Sequence, residues 1–309
     1  MTKTSPRVVS LIASATEWVA ALGATDWLVG RSHECDYPPD VIALPACSAA
    51  KFDVHGDSRQ IDDRVKAVLQ EATSVYSVDR GQLETLQPTV VITQTQCEVC
   101  AVSLKDVEAA VCDWATSRPQ VVACEPNSLI DVWADGRRIA AALGVRETGE
   151  QLLTSLQQRL QAVGAACRAL GQPSPRVACV EWQEPLMAAG NWIPELVEMV
   201  GGTSLFGEAG KHSPWMTWEA LVAADPDAII ALPCGFDLPR TLSEMHWLTA
   251  RPGWSNLRAV QTGRVYVTDG NAYFNRPGPR LVESAEMLAE MLYPGRFDYG
   301  HHGTGWRAL

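Results

Sequence analysis

Positive charge is in short supply: 25 Lys and Arg stand against 36 Asp and Glu, a formal net charge of -11 with a pI near 5.0. Nucleic-acid binding calls for a basic patch or stripe, so DNA and RNA are not expected partners. No run approaches the ~18 uninterrupted apolar residues of a membrane span. The first seven residues, Met1 to Arg7, pass directly into Val8-Val9-Ser10-Leu11-Ile12. That leaves no room for the basic region, apolar core and cleavage site of an export leader, and cytoplasmic residence is the expectation. A local Ser-His-Asp pattern, a phosphate-binding glycine loop and an HExxH helix are all missing, which removes the familiar hydrolase, nucleotide and metalloprotease signatures. The sequence also lacks internal repeats and low-complexity segments.

What is present is a chain of 309 residues, 47% hydrophobic, enough for about two domains of ~100 to 200 residues. Apolar strand-like runs alternate with helical patterns. Val8 to Leu11 is followed by a helix carrying Trp18, Val19 and Leu22 and stopped by Gly23; further strands are expected at Trp27–Gly30, Thr89–Thr93 and Gln120–Ala123. From Leu129 to Leu170 the pattern is largely helical, with breaks around Gly144 and Gly149, and apolar residues from Leu152 to Ala166 fall at three- and four-residue spacings. Val177–Val180 opens a second α/β series, with strands at Ala228–Leu232 and Arg264–Val267 and helices at Pro194–Val200, Leu242–Leu248 and Pro279–Leu292. The expected fold is α/β: two Rossmann-like lobes, residues 1–125 and 173–309, joined by a helical spacer over 126–172, with a ligand cleft between the lobes. A continuous helical spacer resists bending, so limited closure is expected on binding. The tail after Tyr293 has no periodicity and is expected to be mobile, with His301 and His302 outside any ligand set.

Nine cysteines cannot pair completely within one chain, and in a reducing compartment they read as thiols or metal ligands. Cys112, Cys167 and Cys179 sit inside helix or strand patterns and read as small core residues. Cys35, Cys97, Cys100 and Cys234 instead follow strand-like runs, where the loops of a parallel sheet line a ligand crevice. Four thiolates suit zinc or an iron–sulfur cluster. The same loops offer Glu181, Gln94, Trp192, Trp215, Phe236, Tyr273 and Phe274, with aromatics suited to a flat macrocycle, and Arg276, which could hold an anionic group.

The order of segments resembles a known family. Arg7-Val8-Val9-Ser10-Leu11-Ile12-Ala13-Ser14-Ala15-Thr16-Glu17, Glu181-Trp182-Gln183-Glu184-Pro185, Asn191-Trp192-Ile193-Pro194-Glu195-Leu196-Val197, Ala224-Asp225-Pro226-Asp227-Ala228-Ile229-Ile230 and Phe274-Asn275-Arg276-Pro277-Gly278-Pro279-Arg280-Leu281 are similar to the substrate-binding proteins of ABC importers for vitamin B12 and iron-siderophores, and most similar to the branch labelled cobalamin-binding. The resemblance covers nearly the whole chain and implies two α/β lobes joined by a rigid helix. It departs from that family in having no export signal, so an ABC permease partner is not expected, and in placing cysteines at cleft loops. The expected function is a non-catalytic cytosolic binding protein holding a small metal-containing ligand, an iron–sulfur cluster or metal ion on Cys35, Cys97, Cys100 and Cys234. The alternative is cobalamin or siderophore binding as carrier or importer receptor. An enzyme using Cys97 or Cys35 as nucleophile and His33 or Glu34 as base ranks third.

Overall fold

The computed structural model describes residues 5–71, 74–95, 104–111 and 118–309. The chain divides into two compact units: Met1–Gly56, Gln60–Pro126 and Ile130–Thr154 form the first, and Asp57–Arg59, Asn127–Leu129 and Ser155–Leu309 the second.

The first unit is built on β1 (Val8–Ser10), β2 (Leu28–Arg31), β3 (Ser48–Ala50), β4 (Tyr76–Val78), β5 (Val90–Gln94) and β6 (Gln120–Cys124). Four of these make a parallel sheet in the order β2-β1-β5-β6, and β3 and β4 pair antiparallel beside it. Continuous apolar sequence is what a parallel strand covered on both faces requires, and β1 and β5 are buried at every residue. The helices are α1 (Ala13–Ala21), α2 (Ser58–Glu71), α3 (Arg80–Leu86), α4 (Leu104–Val111), α5 (Leu129–Leu143) and the start of α6 (Arg146–Ala169), whose residues from Ser155 on belong to the second unit. Helix α1 stops where Gly23 takes a φ of +74°, a left-handed conformation that glycine adopts without a Cβ penalty. Its Trp18 is buried edge-on against Trp133.

Gly144, at φ +76°, separates α5 from α6 as expected. Gly149 does not break the chain; α6 runs through it. The glycine is there for contact, since a Cβ at position 149 would lie 2.5 Å from the Ala140 Cβ. Gly149→Val should therefore destabilise the first unit by about 1–3 kcal/mol through overpacking, read as a lower urea midpoint. An unchanged midpoint would mean that α5 and α6 can separate at no cost.

The second unit contains β7 (Arg176–Trp182), β8 (Met187–Ala188), β9 (Thr203–Leu205), β10 (Ala228–Ala231), β11 (Val265–Thr268) and β12 (Trp306–Ala308), with α7 (Ile193–Met199), α8 (Trp218–Ala224), α9 (Leu238–Glu244), α10 (His246–Thr249), α11 (Arg258–Gln261) and α12 (Leu281–Leu292). Its sheet runs β12-β11-β10-β7-β8, with β9 on the start of β7. Strands β7, β10 and β11 are parallel; β8 and β12 are antiparallel additions at the edges. The core is made by Ala178, Val180, Ile229, Ala231, Val265 and Val267 of the sheet under Leu221, Leu248 and Leu257. The tail is ordered: β12 pairs Trp306 with Thr268 and Ala308 with Tyr266, so the expectation of mobility is corrected. Among the described residues no helix is long and apolar enough to cross a membrane.

Candidate functional site

In the first unit the loop after β2 carries Ser32, His33, Glu34 and Cys35. The His33 ring is held by Ser48 at the start of β3, with Nδ1 2.9 Å from Ser48 Oγ. Ser48 in turn donates to Ser32 Oγ at 3.1 Å and accepts from the His33 backbone N–H at 3.2 Å. With that hydroxyl proton spent on Ser32, Ser48 Oγ accepts from Nδ1–H, and Nε2 keeps its lone pair. Nε2 is buried and has no partner among the described residues. Burial first, and then the Arg31 charge, push the His33 pKa below its ordinary value, so the ring is neutral at pH 7. Tyr76 packs on the ring with centroids 5.1 Å apart and donates from Oη to Glu34 Oε1 at 2.8 Å.

In the second unit the carboxyl ends of β7, β10 and β11 lie side by side, the place where parallel α/β sheets bind ligands. Beyond β7, the Trp182 ring lies 5.1 Å from that of Phe236, and the Arg240 guanidinium stands 3.9 Å over the Phe236 ring. Glu181 accepts from Ser213 Oγ at 2.8 Å, and Ser213 Oγ accepts from the Gly190 N–H at 3.0 Å. Beyond β11 the chain makes a π-helical turn, Gly270–Phe274, opened by the Asp269 carboxylate accepting from the Ala272 N–H at 2.7 Å. Single π turns recur at functional sites. The Asn275 amide donates to Leu232 O at 2.8 Å and Gly270 O at 3.1 Å, fastening this turn to the end of β10. On the turn, Tyr273 is half-buried with Arg280 5.1 Å over its ring. Trp215, 58% exposed beside β8, is the one large aromatic ring among the described residues with more than half of its surface open.

The sequence-predicted residues are placed unequally. Cys97 and Cys100 lie outside the described residues. Cys35 is 1% exposed and its thiol is engaged, receiving a hydrogen bond from Thr16 Oγ1 at 3.0 Å. Cys234 is exposed, in the loop after β10. Among the described residues no three His, Cys, Asp or Glu side chains are grouped so as to hold a metal ion. Trp192 and Phe274 are interior, at 7% and 0% exposure, and join each other where the Trp192 indole donates to Phe274 O at 2.9 Å. They support the π turn from behind. Gln94 at the end of β5, Phe236 and Arg276 are also buried. Glu181 and Tyr273 remain partly open. Arg240, Ser213 and Asp269 carry no signal of their own in sequence; the Asp-Gly-Asn at 269–271, a capping residue before a tight turn, joins Tyr273, Phe274 and Arg276 in pointing to this place.

Three comparisons bear on this arrangement. The family model described as "Periplasmic binding protein" matches residues 8–272. The chain is 25% identical over 299 residues to an uncharacterized ABC transporter substrate-binding lipoprotein, YvrC, of Bacillus subtilis, covering 96% of this chain and 82% of that one. It is 22% identical over 293 residues to the vitamin B12-binding protein of Vibrio cholerae, covering 93% of this chain and 88% of that protein. Among solved structures, the apo form of the periplasmic heme-binding protein RhuT from Roseiflexus superposes with a TM-score of 0.69 at 21% identity, over 95% of this chain and all of that one.

Proposed function

We propose that this chain, which belongs to the periplasmic binding protein family, binds cobalamin, or a related flat, metal-centred macrocycle, on the carboxyl ends of its parallel strands. Membership makes it a substrate-binding protein rather than an enzyme. The observation that carries the ligand class is the aromatic and cationic layer of the second unit: Trp215 largely exposed, Tyr273 under Arg280, and Trp182 against Phe236 under Arg240. Rigid rings give a macrocycle large contact area with little loss of rotamer freedom. Guanidinium groups at the rim suit phosphate or carboxylate substituents on the same ligand. The vitamin B12-binding and heme-binding relatives support this class over a metal held directly on cysteines, and so does Cys35, whose thiol is buried and already hydrogen-bonded. Delivery of the ligand to an ABC-type permease belongs to the same reading, supported by the substrate-binding relative.

Titration with cyanocobalamin and, separately, hemin, followed by tryptophan fluorescence, tests the proposal. Roughly 100 Å² of the Trp215 ring is available for burial, worth about 2.5 kcal/mol at ~25 cal/mol per Å² before the costs of association. Trp215→Ala should therefore weaken cyanocobalamin binding by about tenfold or more. Saturable binding of hemin alone would replace the corrinoid by heme. Binding of neither, with zinc or iron–sulfur present in the purified protein, would overturn the reading in favour of the thiolate site.

A further inference from the structure

The C-terminal tail is fastened to α12 by two buried carboxylates. Glu290 Oε1 accepts from the backbone N–H groups of Tyr299 (2.5 Å) and Gly300 (3.1 Å), and its Oε2 accepts from the Trp306 indole (2.5 Å). One turn earlier, Glu286 accepts both arms of the Arg159 guanidinium at 2.7 Å and lies 2.8 Å from His301 Nε2. Between these anchors the tail turns on itself, with Gly305 N–H donating to His301 O at 2.8 Å. That turn stands directly behind the π turn of the candidate site. The His301 and Tyr273 rings meet edge-on with centroids 6.4 Å apart. Gly305 O accepts from the Asp269 N–H at 2.8 Å. A Cβ on Gly305 would lie 3.5 Å from Tyr273 Cε2 and 2.6 Å from Met287 Cε, so the glycine backbone fills the space between them.

We propose that residues 299–309 form a clasp that positions the ligand wall of the second unit, with His301 as the positioning residue behind Tyr273. The proposal rests on Tyr273 facing the ligand, as read above. The clasp is sensitive to pH on the alkaline side. The groups facing His301 are Glu283, Glu286 and Glu290 of α12 and the edge of the Tyr273 ring; Arg159 of α6 shares the Glu286 carboxylate with it, and Arg280 stands over the other partner, Tyr273. The hydrogen bond to Glu286 raises the His301 pKa and outweighs burial, so the charged contact is complete below the ordinary value of 6.5 and is lost as pH rises through the raised one.

Hydrogen exchange read over residues 270–274 and 299–309 decides the matter without any ligand. In His301→Ala both segments should lose protection; wild type should approach that variant at alkaline pH. His301→Gln, which keeps a donor without a titration, should hold intermediate protection that does not change with pH. Loosening of 299–309 with 270–274 unaffected would make the tail a structural cover only and overturn the proposal, as would a wild-type pattern flat in pH. Titration with cyanocobalamin adds the link to binding. His301→Ala should weaken it roughly tenfold, and the loss should disappear in a Tyr273→Ala background. Wild type failing to bind cyanocobalamin would remove the ligand reading while leaving the exchange result to decide the clasp.

Discussion

Gly270→Val is expected to be among the most damaging single changes in the second unit, costing about 3 kcal/mol or more and abolishing ligand binding. The glycine opens the π turn and lies on the end of β10: a Cβ there would sit 2.2 Å from Pro233 O, 2.6 Å from Leu232 C and 2.8 Å from Leu232 O. All three are backbone atoms, so no side-chain rotation relieves the clash. The β10 end cannot retreat cheaply either, because Leu232 N–H donates to Val180 O at 2.9 Å and Leu232 O accepts from the Asn275 amide. Something in the crevice must shift, and a displaced π turn would carry Tyr273 with it. Urea unfolding together with cyanocobalamin titration checks this. A variant with the wild-type midpoint and affinity would show that the turn does not need its close approach to β10.

The sheet was legible because buried parallel strands announce themselves as apolar runs. Val8-Val9, Val90-Val91-Ile92 and Ala228-Ile229-Ile230 are each covered on both faces and became β1, β5 and β10. Helix α6 was legible from the spacing of Leu153, Leu160 and Val163, all of them buried. The edge strands were not. β8 is two residues and β9 three, and their pairing with β7 comes from tertiary placement rather than local pattern. The tail reads as Gly- and His-rich sequence without period because its order comes from scattered hydrogen bonds to Glu286 and Glu290 and from the three-residue pairing of β12 with β11, which leave no periodic trace.

The candidate site shows the same divide. Trp192 and Trp215 both sit in loops next to a proline or its neighbour, and nothing local distinguishes them. Yet one is 7% and the other 58% exposed, because Trp192 finds a carbonyl acceptor in Phe274 inside the fold. Position after a strand located the crevice loops; it could not say which side chains point into the core. Cys35 illustrates the cost of that gap. Its place after β2 suggested a metal ligand, whereas the thiol is directed inward to Thr16 and the end of β1. His33, two residues earlier, makes the ordinary hydrogen bond of a loop histidine, to Ser48. The Nε2 on its far side, without a partner among the described residues, has no signature in sequence.

Glu286→Gln should produce the other large effect, and its size should depend on pH in both directions. The side chain is 5% exposed and serves Arg159 and His301 together. Removing one member of a buried ion pair costs about 3–5 kcal/mol, and the lower figure applies here because the Arg159 side chain is 47% exposed and can recover water. Burial alone would raise the Glu286 pKa, but the hydrogen bonds from His301 and Arg159 outweigh it and hold it below the ordinary 4.5. A depressed carboxylate pKa gives stability that is present above 4.5 and lost as pH falls through the folded-state value. The raised His301 pKa gives the opposite edge, a contribution complete below 6.5 and lost as pH rises through its folded-state value. The difference between wild type and Glu286→Gln should therefore be greatest between those two ordinary values. It should close on the acid side entirely and on the alkaline side in part, since Arg159 keeps its charge and its two hydrogen bonds at any pH reached here. Urea midpoints of both proteins from about pH 3 to about pH 9 give the two curves. Curves that run parallel throughout would mean that Glu286 acts only through its shape, and the ionic account of the tail would fail with it.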